Sequence, residues 1–170
     1  GFSVRPRQAV IDQLHALAEF YGPNLVNYNA IFLGQHDALH AGAGPIESAA
    51  ENAWEILEPG RSVMKTPRMF LFGSADSILA ADEGLFAMLN DLPYYTYINL
   101  GLESGDTKTL SALGKPLNEE KVAAAFCRMT TLNSQYPNLE ITANFVMGEG
   151  LPETHLPSIL ELTRTRLAHF

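Results

Sequence analysis

Cysteine is almost absent from this sequence, and the single one, Cys127, excludes an intrachain disulfide and any metal site built from cysteines alone. Long apolar runs are also missing. The longest stretch spans only a few residues, against the roughly 20 that a membrane-crossing helix needs, and no basic–apolar–small pattern of a secretory signal opens the chain. Positive charge is scarce and scattered: 11 Lys and Arg stand against 19 Asp and Glu, which leaves no footprint for a phosphate backbone. These absences direct the reading toward a cytoplasmic chain that binds neither nucleic acid nor membrane.

What remains is an ordinary globular composition, with 46% hydrophobic and 18% charged residues in 170, enough to bury a core as one domain over 1–170. Val10, Ile11, Leu14, Leu17, Ala18 and Tyr21 recur at helical spacing, with Pro6 before them and Gly22 after, so residues 6–21 are expected to form an amphipathic helix. A theme then repeats. Short apolar runs, NYNAIFLG (27–34), RMFLFG (68–73), TYINLG (96–101) and LEITANFVMG (139–148), each end in Gly and are each followed by polar residues and a helical pattern. The helices are expected at 46–57, from the SADS caps to about Leu92, through Leu110 and Leu113 to Gly114, from an Asn118 cap onward, and from about Leu156. GQHDALHAGAGP reads as a loop, and AAAFCRM places Cys127 in a helix as a packing thiol.

Alternation of strand and helix through short connections implies a parallel sheet with right-handed crossovers. The expected architecture is therefore α/β, a partial TIM-like (β/α) barrel of about four units. The polar residues after each strand gather at the C-terminal edge of the sheet, where such folds bind ligands.

The run YINLGLESGDTKTLSALGKPLNEEKVAAAF resembles the fourth-strand segment of radical S-adenosylmethionine enzymes, with its Gly-Leu-Glu-Ser-Gly turn and Leu-x-x-x-Gly-Lys-Pro stretch. AIFLGQHDAL is similar to the end of that family's second strand, RMFLFGSADSIL to the third, and ANFVMGEGLPETH to the fifth strand and its Gly turn. The resemblance implies an internal fragment of an Fe-S oxidoreductase, comprising the second to fifth strands. It further implies S-adenosylmethionine as cofactor, a 4Fe-4S cluster in the full-length parent only, and a 5′-deoxyadenosyl radical that abstracts hydrogen from a small-molecule substrate the sequence does not name. The Cys-x-x-x-Cys-x-x-Cys loop of that family has no counterpart here, so the chain alone is expected to be inactive, with something preceding GFSVRP.

The resemblance assigns cofactor-binding roles to Gly34, Gln35, His36 and Asp37, which occupy the family's Gly-Gly-Glu position facing the methionine amino group. It gives Glu103 the ribose hydroxyls, Ser104 the methionine carboxylate and Gly148 the adenine turn. Ser74 lies at the barrel mouth, where helix capping is its alternative role. Asn144 shares a strand face with Val146 and is expected to look into the barrel, or to be a satisfied core amide. A competing function is a noncatalytic α/β module that holds a nucleotide-like ligand at the same edge. NAIFLG and ITANFVMG are expected to form exposed sheet edges, through which the chain would associate into a homo-oligomer.

Overall fold

The computed structural model describes residues 3–167, with side chains described through residue 164. Four parallel strands, β1 (Ala30–Leu33), β2 (Arg68–Gly73), β3 (Tyr95–Glu103) and β4 (Leu139–Phe145), lie side by side in chain order. Sequential order with every pair parallel is how a (β/α) barrel winds, so the expected α/β architecture with a barrel-like arc of strands is the one found. β1 and β4 form the two edges of this sheet.

Helix α1 (Arg7–Tyr21) precedes the sheet and packs on α2 (Ala43–Leu57), while α3 (Ala75–Ala80), α4 (Glu83–Asp91), α5 (Thr107–Ala112), α6 (Glu119–Gln135) and α7 (His155–Leu167) complete the helical layer. Side chains alternate along each strand, and one set of positions is sealed beneath these helices. Met69, Leu71, Ile98, Leu100 and Leu102 are at most 1% exposed and join Ile78, Phe86, Leu89, Val122 and Leu132 in one core. A cleft of about 1160 Å³ runs between α1, α2 and the outer edge of β1, where Val10, Leu17 and Tyr21 line it.

β1 is shorter than expected, β3 runs past Gly101 to Glu103, β4 stops at Phe145, and two further boundaries differ in the helical layer. The helix expected from SADS to Leu92 is two helices, because Ala81 takes extended backbone (φ −65°, ψ 139°) and Asp82 caps a new start through the Leu85 amide at 2.9 Å. The stretch read as a loop after β1 contains a 3₁₀ turn at Ala38–Ala41, and α2 begins at Ala43. Ala38 and Leu39 are buried there, so apolar burial tightens a segment whose Gly and His content suggests only a loop. Cys127 lies on α6 and is half-buried.

Candidate functional site

The turn after β3 gathers the most polar chemistry at the C-terminal edge. Glu103 closes the strand with a left-handed backbone (φ 65°), unusual for a residue with a side chain. Its carboxylate lies across Gly101: a Cβ at that position would stand 3.1 Å from Glu103 Oε1. The same oxygen accepts from Lys115 Nζ at 3.0 Å, at a half-exposed rim.

The next three residues turn the other way, toward α7. Ser104 is fully buried, and its oxygen lies 2.9 Å from His155 Nδ1. His155 Nε2 lies 2.8 Å from the Val146 carbonyl, which can only accept, so Nε2 carries the hydrogen. Nδ1 therefore accepts from the Ser104 hydroxyl, whose oxygen in turn accepts the Asp106 amide at 3.0 Å. Gly105 lets α7 approach, since a Cβ there would stand 3.1 Å from the Ser158 carbonyl oxygen.

Asp106 caps α5, accepting the Thr109 amide and hydroxyl at 2.8 Å each. Burial pushes its carboxyl up, but the Thr109 and Thr154 hydrogen bonds and the Lys108 charge outweigh that and hold it below its ordinary value. The Gly-Leu-Glu-Ser-Gly-Asp run thus divides by chemistry: Glu103 is presented to the concave side, and Ser104, Gly105 and Asp106 lock the turn onto α7.

Asp37, after β1, and Ser74, after β2, meet at the same sheet edge. Gly34 turns the chain with φ 79°, and Gln35 and His36 are exposed beyond it. Ser74 caps α3 in a reciprocal box with Ser77, with bonds of 3.0 and 2.9 Å. Its hydroxyl also donates to Asp37 Oδ2 at 2.6 Å. Asp37 Oδ1 is buried and has no hydrogen-bond partner, a costly state for a carboxylate oxygen. Capping and contact with the neighbouring turn therefore coexist at Ser74.

The concave face between these turns is layered. Phe32, Phe70 and Tyr97 stand in register across three strands, Phe32 against Phe70 at 6.4 Å and Phe70 against Tyr97 at 5.0 Å, both nearly parallel. One layer nearer the C-terminal edge come Phe72, Asn99 and Thr142, also in register, and Asn144 follows beside Gly101. Asn144 does lie on this face, in a reciprocal amide pair with Asn99.

Asn99, Thr142, Phe72 and His155 were not singled out from sequence. Period-two alternation from Glu103 back through Gly101 to Asn99 and Tyr97 carries the signal for Asn99. Nothing in sequence marks His155, whose partner Ser104 is 51 residues away. Gly148 is exposed in the turn beyond β4, with open space around its Cβ position.

Among the described residues, no group of three His, Cys, Asp or Glu side chains is placed to hold a metal ion. Cys127 is one thiol on a helix and does not fit the three-cysteine ligation of a four-iron cluster. The donor set at the sheet edge does suit a zwitterionic, ribose-bearing ligand: the orphaned Asp37 oxygen seeks a donor such as an ammonium, and Glu103 offers a carboxylate to hydroxyls.

No family model matches the chain, and no curated protein matches it in sequence. Among solved structures it is similar to the apo, selenomethionine-labelled cobalamin-dependent S-adenosylmethionine radical enzyme OxsB, with a TM-score of 0.53 and 17% identity. The match covers 92% of this chain and 22% of that one, so the chain spans about a fifth of its structural neighbour, and the likeness at this identity is one of fold.

Proposed function

We propose that this chain is the cofactor-cupping wall of a radical S-adenosylmethionine enzyme, a single incomplete barrel corresponding to the second to fifth strands of that family's core. The observation that carries the reading is the orphaned Asp37 Oδ1 beside Ser74, on the same sheet edge as the inward-presented Glu103 carboxylate. The fold of the OxsB neighbour and the Gly-Leu-Glu-Ser-Gly turn add to it.

In this reading Asp37, with the backbone of Gly34, Gln35 and His36, receives the methionine ammonium. Ser74 orients the Asp37 carboxylate by donating to its other oxygen. Glu103 accepts the ribose hydroxyls, with Lys115 steadying the carboxylate. Gly148 lies in the turn assigned to adenine. Ser104 is sealed beneath the surface, so its part is to fix the Glu103 turn through His155. The group these residues would hold, S-adenosylmethionine, would supply radical hydrogen-abstraction chemistry in a parent that also provides a reducing cluster, which the single Cys127 cannot ligate.

The test is calorimetric titration of the protein with S-adenosylmethionine, before and after Glu103→Ala. A charge-assisted hydrogen bond contributes about 1.5–3 kcal/mol, so affinity should fall roughly 10- to 150-fold while the fold persists. Unchanged affinity would return Glu103 to a turn residue. Binding by this chain without radical chemistry is the outcome of both readings; three cysteines at the family spacing upstream of Gly1 in a longer parent would favour the enzyme, and their absence the noncatalytic module.

A further inference from the structure

We infer that the apolar surface formed by Phe20, Val26, Tyr28, Val63 and Met64, at the N-terminal end of the sheet, docks a second copy of this chain across a two-fold axis.

Three stretches build this surface: the end of α1, the 3₁₀ turn Gly22–Asn27 with Tyr28 after it, and the loop between Arg61 and β2. Phe20 is 79% exposed, Val63 70% and Met64 60%, with Tyr28 at 51% and Val26 at 41%. The rings of Phe20 and Tyr21 meet at 5.1 Å and those of Tyr21 and Tyr28 at 5.0 Å, while the Val63 amide donates to the Val26 carbonyl at 2.9 Å. The stretches that carry these residues are therefore neighbours. Asn29 leads directly into β1 and Pro67 into β2, which places the surface at the opposite end of the strands from Asp37 and Glu103. Docking there leaves the candidate cofactor edge open on both copies.

The loop is built to keep its apolar residues outside. Buried Ser62 donates to the Val26 carbonyl at 3.0 Å and accepts the Met64 amide at 3.2 Å. Lys65 and Thr66 both take left-handed backbone (φ 52° and 46°), a state that a β-branched residue rarely adopts. The buried Asn29 side chain holds them in it by donating to both of their carbonyls. Val63 and Met64 are thus fixed before a partner arrives, which lowers the ordering cost of association.

Area and charge choose the occupant. At these exposures the five side chains present roughly 500 Å², the upper part of what a monomer leaves exposed in one apolar patch. Two copies would bury about 1,000 Å², the lower bound for a specific interface, so the dimer is weak and reversible. The chain carries a net charge of −8, yet the stretches 17–28 and 58–68 set Glu19 and Glu58 against Arg61, Lys65 and Arg68, with Arg61 paired to Glu58 at 2.7 Å. Two acidic copies can meet here without the like-charge repulsion that separates them elsewhere, and a strongly charged partner finds no complement.

Sedimentation velocity from micromolar to submillimolar protein should show a reversible monomer–dimer equilibrium. Met64→Asp, at an exposed position, sets unpaired carboxylates into the contact and should weaken dimerisation at least about tenfold, with an unchanged melting profile confirming the fold. Phe20→Ser, on a different element, should weaken it as well. As concentration rises, amide exchange should slow at 24–28 and 63–66. A monomer throughout, or a dimer that Met64→Asp and Phe20→Ser leave intact, would overturn the proposal. So would concentration-dependent protection confined to β1 or β4, which would mean that the sheet edges pair instead.

Discussion

The two faces of this sheet are built from the same four strands by alternate residues, yet they have opposite fates. On the helix-covered face, Met69, Leu71, Ile98, Leu100 and Leu102 are at most 1% exposed; on the concave face, Phe32 is 55% and Phe72 36% exposed. The covered face is uniformly apolar apart from Thr96, whereas the concave face moves from stacked aromatics to amides and finally to a carboxylate at the C-terminal edge. Burial supplies roughly 25 cal/mol for each Å² of apolar surface removed from water, so the first face carries stability. The second face is left partly open to solvent and contributes less burial.

Adjacent residues on β3 test this division most strongly. Ile98→Ala opens a cavity beneath the helices and should cost about 2–5 kcal/mol in urea unfolding. Tyr97→Leu keeps apolar bulk on the open face and removes the stacking with Phe70, a loss of about 0.5–1.5 kcal/mol. Equal losses at the two positions would mean that the concave face is part of the folding core.

The division was partly legible in sequence, and its legibility follows from distance along the chain. The four apolar runs and the Asn118 cap are local signals, and a strand or cap forms at each, although β3 runs past Gly101 to Glu103 and β4 stops at Phe145, short of Gly148. Glu103 was legible for its motif. The three residues after it divide between two neighbours in a way no local pattern encodes, because His155, Thr154 and Ser158 come from a helix start about fifty residues on. Asp37 and Ser74 are each legible as turn residues, but their meeting at 2.6 Å depends on the β1–β2 register, in which β1 stops opposite Leu71 and its turn runs alongside the last two residues of β2. Sequence periodicity assigns a residue to a face and leaves open which turn it will meet.

His155 offers a second test, since it belongs to neither face and ties the turns at their common edge. His155→Ala would leave the buried Ser104 hydroxyl without its acceptor and the Val146 carbonyl without its donor. Each stranded buried group costs about 1–3 kcal/mol, and the loss should concentrate at the edge. Amide exchange should quicken first at 103–106 and 146–155, with β2 and the core of β3 still protected. Uniform acceleration across the sheet would show that this link is simply one more core contact.

The smallest effect expected is acid sensitivity at the same turn. Asp106 has its folded-state carboxyl held below the ordinary value of 3.8, chiefly because Thr109 and Thr154 hydrogen bonds outweigh the opposing effect of burial. The unfolded chain therefore binds this proton more readily than the folded one, so Asp106 contributes stability that is complete above the unfolded value and lost as pH falls through the lower folded value. Stability should decline below about pH 4 in the native sequence. Asp106→Asn keeps a capping side chain but cannot titrate, so it should lower stability modestly at neutral pH and flatten this part of the acid decline. Asp106→Ala removes the cap and should cost about 1 kcal/mol at neutral pH. If the Asn variant declined as steeply in acid as the native chain, the Asp106 carboxyl would not be the group responsible.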